Sequence, residues 1–591
     1  MYALKSFVPK NLRHLSRQAL ISHSLVPHVP HSNFAKQFTT TQITMAQEYK
    51  LKDLSSLDLK PGEKKEIEVE GVEGGKVLLC NVGGKVTAIG NKCTHYGAPL
   101  VNGVLTGDGR ITCPWHGACF NASNGDIENA PALDALPLFE LSEKNGSVYV
   151  TGEEETIKGS RRKPNIRITG GIGSEKVVIV GGGSGALSTL EALREAGFKG
   201  SITMIGNEGY LPIDRTKLSK ALIDDASKIA LRDEAWFKDG SITTVNDTVT
   251  SVDFSGKKVA TKNGSSFPYT KLVLASGGSP KSLPLPGFKE LGNIFLLRNI
   301  HHVKGIVAAI GEKNKKIVII GSSFIGMEVA NATAKDNDVT VVGMESAPLE
   351  RIMGAEVGRI FQKALEGNGV KFHMEAGVEK AVPSKSDSSK VGGVQLKDGT
   401  TLEADLVILG TGISPATEYL KDNKSVELRE DGSLATDENF VVSGLKDVYA
   451  IGDIAAYPYN GPGGEGSLAR IEHWNVAQNS GRSVATHINN PSTKPKAFIP
   501  IFWSALGSQL RYCGNTINGW DDLVLQGEPE KAKFVAYYCK GETVVAVGTM
   551  QFDPIMTQAS ELMRRGKMPS KSELKKGLKL ESVNIPAEVK I

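Results

Sequence analysis

The period of hydrophobic and polar residues changes along the chain and divides it into blocks. Between about 48 and 153, short alternating runs (KEIEVE, KVLLCNV, KVTAIG, SVYVTG) are separated by Gly and Asn turns. Period-two alternation places apolar side chains on one face of a strand, so this block predicts a small all-β domain. Residues 154–174 are polar, contain Pro and Gly, and read as a linker. From 175 to about 495, strand-length apolar runs alternate with helical patterns, which predicts parallel sheets. The remainder, 496–591, has strand-like KFVAYYC and VVAVGTM followed by the amphipathic stretch TQASELMRRG, which predicts a smaller α+β domain.

An internal repeat organises the α/β block. KVVIVGGGSGALSTLEALREAG and KIVIIGSSFIGMEVANATAKD are the same strand, glycine loop and helix, about 140 residues apart. In the first copy Gly181, Gly183 and Ala186 fit G-x-G-x-x-G/A, with Ser184 and Gly185 completing the loop. Glycine permits the tight turn and lets the backbone approach a pyrophosphate at the positive helix N-terminus. Beyond the next strand, Asn207 and Glu208 stand where an acidic side chain takes ribose hydroxyls. The second copy has Gly321, Ser323 and Gly326, so serine replaces the middle glycine. Its following strand, VTVVGMES, has Gly343 where an NAD-type acid often stands and Glu345 two residues later. NADH and NADPH both stay open, with Glu345 on the ribose favouring NADH. Two further strand ends fit the pattern. Asp453 in DVYAIGDIA is placed to bind flavin ribityl hydroxyls, and the turn at Gly412 in LVILGTGISP suits the nicotinamide half. Two nucleotide units predict two nucleotides, FAD and NADH or NADPH. The predicted fold class is multidomain: an all-β domain (48–153), two Rossmann-like α/β domains of glutathione-reductase-like type, and a C-terminal α+β domain (496–591). FAD is assigned to 175–300 with 438–495, and NAD(P)H to 301–437.

The β block carries its own chemistry. CTHYGAPL (93–100) and CPWHGACF (113–120) give Cys-x-His, seventeen residues, then Cys-x-x-His. Cys93 and Cys113 can hold one iron and His95 and His116 the other, the ligand set of a Rieske 2Fe-2S cluster. A Cys₂His₂ zinc site is the rival, but zinc fingers group their cysteines and their histidines, whereas here they alternate. Ala98 and Trp115 stand where high-potential Rieske proteins place a loop-bridging disulfide, and Ala118 where many have a serine on the cluster. Fewer hydrogen bonds to the sulfurs lower the potential, so a low-potential centre is expected. The histidine edge is expected to be exposed and to act as an electron port. Cys119 reads as a small core residue.

Bulk composition narrows the class. The 591 residues allow several domains. A net charge of +4 and no long Lys/Arg run give no reason to expect nucleic-acid binding. No apolar stretch is long enough for a membrane span. Six cysteines without a CxxC pair suit a reducing compartment. Residues 1–47 have no Asp or Glu, while Lys5, Lys10, Arg13, Arg17 and Lys36 are spread among Ser, Thr, Leu and Val. That is the composition of a mitochondrial presequence. Met45 is an alternative start that would give a cytoplasmic form.

From about 175 to 591 the chain resembles the pyridine-nucleotide ferredoxin reductases of Rieske oxygenase systems and apoptosis-inducing factor. The whole arrangement is similar to the apoptosis-inducing-factor-like, Rieske-containing flavoproteins. The resemblance implies that Arg215 and Lys220 in LPIDRTKLSK contact FAD, although Thr216 and Lys217 depart from the family's proline there. It implies that Val249 and Arg298 line the flavin, and that Glu472, His473 and Trp474 of RIEHWNVAQNSG lie near the isoalloxazine. Trp503 of FWS is implied as the C-terminal domain's aromatic contact. The dithiol pair of glutathione reductases is missing, so thiol–disulfide exchange is not expected. The implied function is an NAD(P)H-dependent FAD oxidoreductase that passes electrons through the Rieske cluster to a one-electron acceptor, a protein or a quinone. A redox-sensing, apoptosis-related signalling protein is the alternative. A Rieske oxygenase is disfavoured because the later histidines form no D-x-x-H-x-x-x-x-H run. The resemblance allows a homodimer.

Overall fold

The computed structural model describes residues 46–168, 173–583 and 585. The expected presequence lies, but for its last two residues, outside the described residues. Among the described residues no helix is long and apolar enough to cross a membrane.

The N-terminal block is all-β. Six antiparallel strands run in the order Gln47–Lys50, Ser147–Gly152, Leu138–Lys144, Lys85–Gly90, Lys76–Val82, Lys64–Glu68. Four short strands between Val104 and Asn129 form a second sheet. The run KVLLCNV shows how the pattern becomes structure: Val77 and Leu79 face the domain's own core, and Leu78 and Cys80 face the loops carrying Cys93 and Cys113. Both faces are buried, so the run is continuously apolar rather than half polar. The stretch read as linker contains a helix, Glu154–Gly159, whose Ile157 is buried against the β core. A single apolar residue among charges gives no helical period, which is why the sequence did not show it.

The two glycine-loop units fold alike. The first sheet orders Ile242–Asn246, Gly200–Gly206, Gly173–Val180, Lys271–Leu274 and Val448–Ala450, all parallel. The second orders Lys371–His373, Asp338–Val342, Lys316–Ile320, Leu406–Leu409 and Ile294–Leu296, also parallel. Each carries a three-stranded antiparallel insert. Two domain edges move relative to the sequence expectation. Ile294–Leu296, read with the first domain, pairs with Leu406–Leu409 in the second, whereas Leu434–Ala435 pairs with Ala455–Tyr459. Strands of two or three residues have too few positions for a period, so only their partners assign them.

The C-terminal block is a five-stranded antiparallel sheet with Ile501–Ala505 at one edge, and the helix Ile555–Arg564 packs on it.

Candidate functional site

One cavity of about 710 Å³ lies among the first glycine loop, the Arg215–Lys220 segment and the C-terminal strand Ile501–Ala505. Gly181, Gly183, Ser184, Gly185, Asn207, Glu208, Arg215, Lys220, Val249, Arg298, Asp453, Glu472, His473 and Trp503 all line it. The sequence-predicted flavin residues therefore converge, with Ala186 just behind them, buried in the helix Ser184–Glu195.

The glycines have separate jobs. Gly181 has φ +119°, and a Cβ there would sit 2.1 Å from the Ala275 carbonyl oxygen. Gly183 is open, with nothing within 4 Å of a Cβ, and it precedes a helix whose first turn has no side-chain cap. Free N–H groups beside an empty cradle suit a pyrophosphate. Gly185 serves packing: a Cβ there would lie 3.1 Å from the Ala477 carbonyl oxygen, where Trp474–Asn489 crosses the glycine-loop helix.

Several charged side chains in the cavity are paired. Arg215 donates to both Glu208 oxygens at 2.9 and 2.7 Å and to the Arg298 carbonyl at 2.7 Å. Burial opposes charge on Glu208, but Arg215 outweighs it and holds the carboxyl below its usual range. Arg298 donates to Asp453 at 2.8 Å. His473 faces the cavity with Nδ1 unpartnered, and burial lowers its pKa to about 4. His302, also at the wall, has an unpartnered Nδ1 too. A lined cavity, an open glycine cradle and waiting polar atoms fit a bound dinucleotide such as FAD.

The sequence reading missed Glu328. It is buried on the helix Phe324–Thr333 of the second unit, yet it lines this cavity. Lys220 pairs with it at 2.9 Å, and Ser219 and Ser504 each donate to it at 2.5 Å. Three domains thus meet at one carboxylate. The available signal was a lone charge in the otherwise uncharged helix FIGMEVANAT. The rest of the second unit's predicted set, Gly321, Ser323, Gly326, Glu345 and Gly412, lies outside the cavity lining. Gly321 still matches Gly181, with φ +112° and a Cβ that would fall 2.3 Å from the Gly410 carbonyl oxygen. Glu345 is held by Arg351 at 2.8 Å and accepts from Ser322 at 3.3 Å.

The two cluster loops are built alike. Cys93 N–H donates to Ala98 O and Gly97 N–H to Cys93 O; Cys113 N–H donates to Ala118 O and Gly117 N–H to Cys113 O. Gly97 and Gly117 have φ of +76° and +72°, turning each loop back on its cysteine. The two sulfurs lie within hydrogen-bond reach of each other. Bonding from the Cys93 thiol and from the Trp115 and His116 amides draws the Cys113 pKa down. The His95 and His116 Nδ1 atoms face each other at 3.2 Å. Burial favours both imidazoles in the neutral, ligating form. Among the described residues no three His, Cys, Asp or Glu side chains converge as one ion requires. The four side chains approach as two pairs, His95 with His116 and Cys93 with Cys113, which fits the two irons of a Rieske cluster. Cys119 is fully buried, with its sulfur 3.2 Å from the Thr112 hydroxyl, as a core residue.

The histidine edge is only partly open, with His95 half-buried. His116 is buried, and Trp503 covers both rings, with centroids 4.5 Å from His116 and 5.5 Å from His95. Arg110 pairs with Glu561 at 3.3 Å, Arg564 with Asp108 at 2.7 Å, and Arg232 with Asp134 at 2.7 Å across the same junction. Gly117 sits so close to the C-terminal strand that a Cβ would meet Ile501 at 2.5 Å. Such contacts join residues from about one hundred to several hundred positions apart, and no local pattern announces them.

Two glycine-loop domains sharing a cavity, a C-terminal sheet closing it and a paired Cys/His cluster site define a flavin- and pyridine-nucleotide-dependent oxidoreductase with a Rieske centre. Family models agree: Pyridine nucleotide-disulphide oxidoreductase matches residues 175–481, Rieske [2Fe-2S] domain 49–140, and Reductase C-terminal 501–580. The chain belongs to the pyridine nucleotide-disulphide oxidoreductase family, and is an NAD(P)H oxidoreductase with FAD and a 2Fe-2S cluster as cofactors. It is 36% identical over 525 residues to apoptosis-inducing factor 3 of Homo sapiens, covering 88% of this chain and 84% of that one. It is 30% identical over 377 residues to rhodocoxin reductase of Rhodococcus erythropolis, covering 63% and 85%. The covalent putidaredoxin reductase–putidaredoxin complex matches with a TM-score of 0.63 at 26% identity, covering 68% of this chain and 95% of that one.

Proposed function

We propose that the chain moves electrons from NADH to a one-electron acceptor, with the flavin cavity and the cluster site in fixed contact through Trp503. The carrying observation is that Trp503 lines the cavity and touches both cluster histidines. When bound, the flavin supplies two-electron to one-electron conversion and the cluster single-electron transfer.

The chain's residues do the rest. Gly181 and Gly183 cradle the flavin pyrophosphate, Glu208 takes the adenosine ribose and Asp453, held by Arg298, the ribityl hydroxyls. Arg215 and Val249 contact the FAD, and His473 lies beside its ring system. The Glu328–Lys220 pair offers a carboxylate and an ammonium where the second unit reaches the cavity, suited to orienting a nicotinamide amide. Gly321, Ser323 and Gly326 receive the second pyrophosphate. Glu345 accepts a ribose hydroxyl and repels a 2′-phosphate, which favours NADH. Trp503 excludes water between the cavity and the histidines. The N-terminal composition supports a mitochondrial location, and kinship with a reductase–carrier pair supports a protein acceptor.

Trp503→Ala tests the contact. NADH is expected still to bleach the flavin, while the Rieske EPR signal lags behind the bleaching by about ten times or more the lag of the unmutated protein. An unchanged rate of signal appearance refutes the role of Trp503.

A further inference from the structure

Trp503 occupies one side of the histidine edge, which leaves the half-buried His95 as the ring an acceptor can approach. The cluster loop has one other aromatic neighbour. Tyr96 stacks on His95, with centroids 3.8 Å apart and an interplanar angle of 16°. It is 41% exposed, one of four exposed large hydrophobic residues among those described. Beside it, Gly97 would have nothing within 4 Å of a Cβ, so a partner surface can approach closely. The Tyr96 hydroxyl is anchored by donating to Asp214 of the flavin domain, which fixes the ring against His95.

Charge around Tyr96 is sorted by depth. Lys217 Nζ lies 5.2 Å from its ring centroid; Lys217 is half-buried and Arg161 exposed. Lys92, exposed, stands at the base of the same loop. The anions paired with Lys217 and Arg161 are buried: Asp214 beneath Tyr96 and Lys217, and Asp134 between Arg161 and Arg232. An approaching protein therefore meets cations around an aromatic ring.

We propose that Tyr96 with Lys92, Arg161 and Lys217 forms the exit face, where an acidic one-electron carrier protein docks. This rests on the function proposed above. One electron passes from the reduced cluster to the oxidised carrier; no proton moves and no bond forms or breaks. Surface cations of this kind raise the association rate and make it salt-sensitive.

The test uses the full-length holoprotein, an acidic plant-type ferredoxin as probe and basic cytochrome c as control. Calorimetry at low ionic strength is expected to show ferredoxin binding that weakens with salt. Lys92→Glu with Lys217→Glu should raise its Kd by at least about fivefold and flatten the salt dependence, and Lys92→Glu alone should shift it in the same direction. In both variants NADH should still produce the cluster EPR signal at the normal rate. Tyr96→Leu should slow cluster reoxidation by bound ferredoxin severalfold, and Tyr96→Phe, which keeps the stacked ring, should not. An unchanged Kd in the double variant, tighter binding of cytochrome c than of ferredoxin, or normal reoxidation in Tyr96→Leu overturns the proposal. Failure of NADH to generate the EPR signal in the unmutated protein would instead overturn the internal route, leaving the binding arm to decide the docking face.

Discussion

Ala118 is fully buried, and its carbonyl closes the second cluster loop on Cys113. Its methyl group cannot donate to a sulfur, so Ala118→Ser adds a hydrogen bond that stabilises the reduced, more negative cluster. The midpoint potential is expected to rise, read by EPR-monitored titration; an unchanged potential would mean that the hydroxyl does not reach the cluster. His473 makes the pH prediction. Its folded pKa, about 4, lies below the ordinary value of 6.5 because burial disfavours the imidazolium. Between these values the unfolded chain binds more protons, so the contribution to stability is present above 6.5 and is lost as pH falls towards 4. The Tm difference between the unmutated protein and His473→Gln should shrink over that window; a constant difference contradicts the assignment. At this scale the sequence was most legible where chemistry imposes spacing. Cys93, His95, Cys113, His116 and Gly181 stand out because few residue types can do their work. Glu328 and Tyr96 did not, since their meaning comes from what other domains bring to them.

At the scale of elements, the repeated strand, glycine loop and helix foretold both parallel sheets, since a buried βαβ unit requires long apolar runs and a glycine at the turn. Two- and three-residue strands and the helix Glu154–Gly159 were invisible because a period needs more positions than they have. The junction between the β domain and the helix Ile555–Arg564 was equally hidden. There Glu561 is buried and accepts from Arg110, Arg564 and Thr112. Removing one partner from a buried pair leaves a desolvated charge, at a cost of about 3–5 kcal/mol. Glu561→Ala is therefore expected to split the thermal unfolding of the holoprotein, with the β domain releasing first. A single, unshifted transition would show that the pair does not hold the junction.

For the whole molecule, the sequence supplied the parts and the structure supplied their order. An exposed histidine edge was the natural expectation from the cluster motif alone. Docking turns that edge inward onto Trp503 and leaves Tyr96 as the loop's outward aromatic residue. The cluster site thus lies between the flavin cavity and the surface within one chain. The direct test is the rate at which the Rieske EPR signal appears after NADH is mixed with the oxidised holoprotein, followed by rapid freezing at several protein concentrations. An internal route predicts a first-order rate independent of protein concentration, with Cys93→Ser keeping flavin bleaching and losing the signal. A rate that rises in proportion to protein concentration would contradict it.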